Sequence, residues 1–150
     1  MNRVVKISLI LLIILITMTG CFGGDKEYAS KDKYTKLNIQ QMHNDYDSNE
    51  ITAKEKYPYN YYYFTEKIND VVEYLGDTYL TFMIHSTNKK AKTSGIELTA
   101  YFESGDMLKN VKKGDKVTVY CKFKERSIEN YFGTTSYSFH SCHFGDKFVD

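Results

Sequence analysis

The sequence is poor in features that mark several common protein classes. It has no tryptophan, a single proline at Pro58 and three cysteines in 150 residues. The 20 basic and 19 acidic residues leave a formal net charge of +1. The chain therefore lacks the basic excess that usually accompanies nucleic-acid binding. It also contains no internal repeat and no low-complexity tract, which excludes repeat architectures.

The sequence also lacks the short motifs of well-known enzyme sites. It contains no GxSxG, P-loop, dinucleotide-binding or HExxH pattern, and no Ser-His-Asp order suggests a catalytic triad. We therefore predict that the protein is not an enzyme and that it needs no cofactor. Aromatic residues, by contrast, are abundant, with 14 tyrosines and 9 phenylalanines.

The N-terminus has a distinct composition. Arg3 and Lys6 precede a mostly apolar run over residues 8–18, and small residues follow up to Cys21. This order is typical of a secretory signal peptide, and a run of about eleven residues is short for a membrane span. A plain cleaved signal, an uncleaved N-terminal anchor and a buried core helix are the alternatives.

The residues Met18-Thr19-Gly20-Cys21 resemble the lipobox of bacterial lipoproteins. This resemblance implies that residues 1–20 are a lipoprotein signal peptide and that Cys21, the new N-terminus, carries acyl chains such as palmitate. The polar segment 21–36 would be a flexible tether, followed by a domain over residues 37–150. The expected location is the cell membrane, where the protein is lipid-anchored and faces outside the cytoplasm.

Hydrophobic spacing predicts one helix followed by strands. Over residues 37–56, apolar side chains recur every three or four positions, which predicts a helix that ends before Pro58. Beyond Pro58 the spacing changes to two, and aromatic and β-branched residues become frequent. The five predicted strands cover residues 61–74, 78–85, 96–102, 116–125 and 135–144.

This order of elements predicts a mainly β fold, namely a five-stranded OB-like antiparallel barrel with an N-terminal helix. The longer connection between the third and fourth strands fits that topology. We expect the helix to cap the barrel, because a five-stranded barrel has an open end. An open antiparallel sheet with the helix on one face is the alternative.

Three local patterns indicate a family. They are Tyr46-Asp47-Ser48-Asn49-Glu50 with Ala53 and Tyr57, Lys67-Ile68-Asn69-Asp70-Val71, and the stretch from Val111 to Val119 around Gly114. Together with Cys142, they resemble a family of bacterial OB-fold proteins, many of them lipoproteins, that is similar to the tRNA anticodon-binding OB domain. The resemblance covers residues 46–144 and implies a fold. It does not imply tRNA binding, because fold alone does not determine function.

Cys121 and Cys142 are candidates for a disulfide. They lie on the last two predicted strands, and a lipoprotein outside the cytoplasm meets an oxidising compartment. Two buried free thiols are the alternative. His140 and Cys142 would share a strand face while His143 points the other way. Since zinc needs three or four convergent ligands, we predict no metal site.

Tyr59, Tyr61, Tyr62 and Tyr63 are the candidate ligand-stacking residues. Aromatic side chains on OB-fold strands stack on bases or sugars, and these four lie in the densest aromatic cluster of the chain. The alternative is that every second residue of this strand fills the core while the others lie on the surface.

The sequence therefore predicts non-catalytic binding of a protein, a glycan or a small ligand at the cell envelope. One alternative is a structural or exclusion role on a membrane partner, and another is binding of single-stranded nucleic acid by the OB face. The near-neutral charge makes nucleic acid the least favoured partner. The expected partners are the membrane, through the lipid anchor, and an envelope protein or glycan.

Overall fold

The computed structural model describes residues 28–89, 93–129 and 133–147. The predicted signal peptide, Cys21 and the first part of the predicted tether, residues 21–27, lie outside the described residues. Within the described ranges, no helix is both long and apolar enough to cross a membrane.

The helix predicted over residues 37–56 is two helices in the structure. α1 spans Ile39–Ser48 and α2 spans Glu50–Lys56. Asn49 between them is extended, and its side-chain oxygen accepts hydrogen bonds from two backbone N–H groups in the first turn of α2. Asparagine favours such N-cap positions because its short side chain supplies the acceptor that the helix start lacks. The break therefore has a local cause that apolar spacing does not reveal.

In the part of the chain that the structure describes, seven strands form one sheet with the order β1-β2-β6-β7-β5-β4-β3. In chain order they are β1 (Thr35–Lys36), β2 (Tyr61–Lys67), β3 (Asp70–Tyr74), β4 (Asp77–His85), β5 (Gly95–Phe102), β6 (Lys116–Glu129) and β7 (Thr134–His143). The β1–β2 and β5–β7 pairs are parallel, and the other pairs are antiparallel.

The prediction of a five-stranded antiparallel barrel is wrong in strand number and in closure, because the seven-stranded sheet is not closed into a barrel. The segment 61–74, predicted as one strand, forms both β2 and β3. Ile68 donates a backbone hydrogen bond to Asp115, whereas Asn69 donates one to Thr81 on the other side. β1 supplies the seventh strand. β2 and β3 lie near opposite ends of the strand order, yet only two residues join them. The sheet must therefore be strongly curled.

α1 covers the gap between β2 and β4, where the sheet does not close. The Leu37 N–H donates to the Tyr63 carbonyl on one side, at 2.8 Å. On the other side, Gln40 Nε2 donates to the His85 carbonyl at 2.7 Å. Met42 of α1 is buried in the same core as the strand side chains. α1 thus contacts β2 and β4 across the unclosed part of the sheet, whereas the predicted role as the cap of a closed barrel does not apply.

Residues 28–36, the second part of the predicted tether, pack against the sheet. Lys31–Lys33 form a 3-10 turn, and β1 lies alongside β2. Tyr34 between these two elements is only 7% exposed. The folded part of the chain therefore begins before residue 37, because one buried ring fixes a segment whose overall composition is polar.

The core consists of alternate strand residues, as the two-residue spacing predicts. The strand side chains with at most 1% exposure include Phe64, Leu80, Phe82, Ile96, Leu98, Val119, Tyr137 and Phe139. Leu108, in the 3-10 turn Gly105–Leu108 that follows β5, is also buried. This packing leaves the other face of each strand available for contacts at the surface.

Candidate functional site

Strand alternation separates the four candidate tyrosines into two groups. Tyr61 and Tyr63 lie on the outer face of β2, and Tyr59 just before the strand is 55% exposed. Tyr62 instead points into the core with 7% exposure, and its hydroxyl donates to the Pro58 carbonyl at 3.4 Å. Tyr62 is therefore a core residue that is not available for ligand stacking, while the other three share an outer face.

A β-bulge in β7 brings two histidines to this outer face. Lys122 of β6 pairs with His140, and Tyr120 pairs with His143. Between these two pairs, β7 has three residue steps and β6 has only two. Ser141, with a φ of 50°, is the extra residue of β7. The expectation that His143 points away from His140 is therefore wrong, because the bulge shifts the alternation by one residue.

Cys121 and Cys142 form a disulfide on the inner side of the same bulge. Their Cα atoms are 4.2 Å apart, slightly below the usual range. Both residues are fully buried. Because neither sulfur reaches solvent, this bridge is a structural cross-link between β6 and β7 rather than a site of thiol exchange.

Tyr59, His140 and Lys122 form a compact group on the outer face. The Tyr59 and His140 rings stack with centroids 5.3 Å apart, and the Tyr59 hydroxyl hydrogen-bonds His140 Nε2. Lys122 Nζ lies 4.1 Å from the Tyr59 ring centre and 5.4 Å from that of Tyr61. Burial lowers the pKa of His140, and the charges of Lys122 and Lys124 lower it further. The imidazole is therefore neutral at pH 7.

Tyr34 fixes the N-terminal segment to this face. Its ring meets those of Tyr61, Tyr120 and His143 edge-on, at centroid distances of 5.3, 5.3 and 5.6 Å. Its hydroxyl lies 3.0 Å from His143 Nε2, and His143 Nδ1 lies 2.7 Å from the Phe144 carbonyl. Because a carbonyl only accepts, Nδ1 carries the proton and Nε2 accepts from Tyr34. Burial raises the pKa of Tyr34 to about 12, so its hydroxyl stays protonated.

These side chains border a cleft of about 340 Å³ beside the N-terminal segment. Its lining residues are Tyr28, Ala29, Tyr34, Tyr61, Glu103, Lys122, His140 and Ser141. The volume lies at the lower end of the range for small-molecule sites, about 300–1,000 Å³. The outer candidate Tyr63 does not line the cleft and stacks on Tyr120, with centroids 5.3 Å apart. The cleft thus combines aromatic rings with one amine, one carboxylate and one imidazole.

A second group of polar residues lies under α1, and the sequence analysis missed it. Arg126 of β6 and Asp47 of α1 form an ion pair at 2.9 Å with side chains only 6% and 5% exposed. His43 is fully buried. Its Nδ1 lies 3.1 Å from the Tyr137 hydroxyl, and its Nε2 lies 3.6 Å from the Asp47 carboxylate. The sequence signal for this group was the four-residue spacing of His43 and Asp47, which places both side chains on one face of the helix.

This buried group joins the helix to the sheet. None of its members lines the cleft on the outer face. Across the three ranges that the structure describes, no three His, Cys, Asp or Glu side chains come together as a possible metal site. The group therefore connects α1 with β6 and β7, which positions the helix over the gap in the sheet.

Stability should fall as the pH drops below the unfolded-state pKa of histidine. Burial is the largest effect on His43 and lowers its pKa from the ordinary value of 6.5; the charge of Asp47 raises this pKa, and the charge of Arg126 lowers it further. Below pH 6.5 the unfolded chain therefore binds a proton that the folded chain does not, so unfolding becomes easier by at most about 1.4 kcal/mol per pH unit for this group. Urea unfolding at pH 7.5, 6.5, 5.5 and 5.0 measures the slope.

The matched variant is His43→Gln, which keeps a polar side chain near Tyr137 but does not titrate. Its free energy of unfolding should vary less between pH 7.5 and 5.0 than that of the wild type. The remaining slope should come partly from His140, whose pKa is also lowered. An unchanged slope in the variant would show that His43 is not the group that titrates.

The family model described as tRNA_anti-like matches residues 1–133 of the chain. The comparison with curated proteins found no match to the chain. The family match confirms the resemblance to the anticodon-binding OB domain that the sequence motifs indicated. Lipidation of Cys21 stays a prediction, since it concerns residues outside those that the structure describes.

Proposed function

This chain belongs to the tRNA_anti-like family of OB-fold-like domains, and we propose that it binds a glycan or another small ligand without catalysis at the outer surface of a cell membrane. In this proposal, acyl chains on Cys21 hold the protein on the bilayer, and the cleft on the outer face of β2, β6 and β7 holds the ligand. Neither part assigns a chemical reaction to the protein.

The observation that carries the binding part is the composition of the cleft. Tyr34 and Tyr61 contribute ring surfaces, and Lys122 and His140 contribute polar atoms next to them. A site with a few polar groups among aromatic side chains is the usual form of a small-ligand site. Sugars fit such a site because one side of the sugar ring presents C–H groups to an aromatic face while the hydroxyls bind polar groups.

The position of the N-terminal segment is compatible with an anchor at Cys21. Tyr28 lines the cleft, and its ring lies 4.3 Å from that of His143. Seven residue steps separate Cys21 from Tyr28, and such a segment spans at most about 25 Å. Acyl chains on Cys21 would therefore keep the cleft close to the bilayer surface, where envelope glycans are also found.

A protein partner, with a structural or exclusion role, is the second candidate. The turn between β3 and β4 exposes Tyr74 to 64% and Leu75 to 86%. Leu75 also has a φ of 51°, a conformation that asparagine and glycine adopt more readily than leucine. The adjacent side chains of Tyr74 and Leu75 supply a continuous apolar surface, and this surface supports a protein partner.

Single-stranded nucleic acid is less well supported. OB-folds bind it mainly across their second and third strands, which correspond to β4 and β5 here. Neither strand contains a lysine or an arginine, whereas both contain an acidic residue, Asp77 and Glu97. A phosphate backbone would therefore find no cation on these two strands.

The anchor is tested by replacing Cys21 with serine in the full-length chain expressed in a bacterium with its own signal. The wild-type protein should incorporate labelled palmitate and sediment with membranes. Cys21→Ser should incorporate no label and should be released or remain unprocessed. If the variant is processed and retained as the wild type is, the lipoprotein part of the proposal is wrong.

The ligand part is tested with the full-length protein in a neutral detergent, by NMR chemical-shift titration with cellobiose, chitobiose and digalacturonate. At least one disaccharide should shift the resonances of Tyr61, Lys122 and His140 with a Kd on the order of 1 mM or below. Tyr61→Ala should abolish these shifts. Tyr79→Ala, on the outer face of β4, is the matched control and should leave them unchanged. No binding by any of the three disaccharides would reject the glycan function.

A further inference from the structure

Lys122 is an unusual cation because aromatic rings, and not a carboxylate, surround its amine. Its Nζ lies within 5.4 Å of the ring centres of both Tyr59 and Tyr61. Across the described ranges no carboxylate forms an ion pair with it, whereas the neighbouring Lys124 pairs with Glu125 at 3.3 Å. Lys122 also lines the cleft and is half-buried. A cation held in this way is available to a negatively charged group of a ligand.

The other polar groups of the cleft limit the negative charge of the ligand group that contacts Lys122. Glu103 lines the same cleft and brings a carboxylate to it. His140 is neutral at pH 7 for the reasons given above, so Lys122 is the single full positive charge among the described residues that line the cleft. A group with one negative charge matches this balance better than a phosphate, which carries nearly two at neutral pH.

The shape of the cleft limits the rest of the ligand. Its volume of about 340 Å³ is enough for one or two sugar rings at the lower end of the range for ligand sites. Tyr61 contributes a ring to the cleft, and Ser141 contributes a hydroxyl. A sugar ring with an apolar face, hydroxyls along its edge and one carboxylate uses all of these groups.

We infer that the cleft binds a carboxylate-bearing saccharide of the uronic acid class, with its carboxylate on Lys122 and a sugar ring against Tyr61. This inference rests on the proposed function, because it names the chemical class of ligand for the same cleft. It separates Lys122 from Lys56, whose amine lies 5.4 Å from the Tyr57 ring centre but also pairs with the Asp45 carboxylate at 2.6 Å.

The experiment compares digalacturonate with its methyl ester, which has the same ring system without the negative charges. Binding is followed by NMR chemical-shift titration of the full-length protein in a neutral detergent at low ionic strength. The wild type should bind the acid with a Kd on the order of 1 mM or below and bind the ester at least about tenfold more weakly, as expected for loss of a charge-assisted contact. The shifted resonances should map to Tyr61, Lys122 and His140.

Two lysine variants make the test specific. Lys122→Met keeps the length of the side chain and removes its charge, so it should weaken binding of the acid at least about tenfold and leave binding of the ester unchanged. Lys124→Met removes a charge two residues along β6 and should leave both affinities unchanged. Thermal melting of each variant checks that the fold is retained.

The remaining outcomes overturn the inference in different ways. Equal binding of acid and ester, or equal weakening by both lysine variants, would show that Lys122 does not recognise a carboxylate. Failure of digalacturonate with binding of cellobiose or chitobiose would reject the uronic acid class and leave the proposed function standing. Failure of every disaccharide would reject both.

Discussion

Replacing Arg126 with alanine should lower the free energy of unfolding by about 3–5 kcal/mol, because it removes the guanidinium that pairs with the buried carboxylate of Asp47. The guanidinium also lies 5.2 Å from the ring centre of Tyr46 and 3.8 Å, through Nη1, from Glu50. Loss of all three contacts should loosen α1 and α2 from the sheet. Urea unfolding followed by far-UV circular dichroism measures the change.

A matched control and a double variant test the cause. Lys124→Ala removes an exposed ion pair of the same strand and should cost less than about 1 kcal/mol. The double variant Asp47→Leu with Arg126→Met removes both buried charges and should be more stable than Arg126→Ala by about 2 kcal/mol or more. The losses of free energy of unfolding are also measured for Asp47→Leu and Arg126→Met separately. If the double variant loses as much as these two losses added together, Asp47 and Arg126 are not coupled as their 2.9 Å contact implies.

Loss of the disulfide should be the second largest effect. The bridge joins residues separated by 21 positions, and closing a loop of this length in the unfolded chain contributes about 3 kcal/mol. The double variant Cys121→Ala and Cys142→Ala should therefore melt about 10 °C lower than the wild type. It should still fold, because the core contains many other buried side chains from α1 and the strands.

Reductant provides the control that needs no mutation. Because both sulfur atoms are buried, reduction should be slow in the folded protein and fast in denaturant. After reduction in denaturant, the refolded wild type should melt close to the double variant. Equal melting temperatures for oxidised and reduced wild-type protein would show that the bridge is absent or contributes nothing.

Several features of the fold were present in the sequence. The change from helical to two-residue spacing at Pro58 placed the helical region before the strands, and the predicted second to fifth strands overlap β4, β5, β6 and β7 closely. The motifs around Asn49, Ile68 and Gly114 indicated the family that the family model matches. These features depend on local spacing and on turn residues, which is why a single sequence reveals them.

The details of the candidate site depended on backbone irregularities that spacing does not reveal. Strict alternation assigned His140 and His143 to opposite faces, and the bulge at Ser141 brought them to one face. The division of 61–74 into β2 and β3 followed from hydrogen bonds of Ile68 and Asn69 to distant residues. Each of these outcomes is decided by a partner strand far away in the chain.

The sequence by itself thus determined which residues form strands, which of their side chains are apolar and which family the chain resembles. Only the tertiary structure decided that the sheet does not close, that Tyr34 holds the N-terminal segment on the sheet, and that Lys122 lies over two tyrosine rings. It also decided that Asp47 meets Arg126, 79 residues away. The physical reason is that apolar periodicity is a local property of the chain, whereas ion pairs and aromatic contacts between distant residues form only when the strands have been placed side by side.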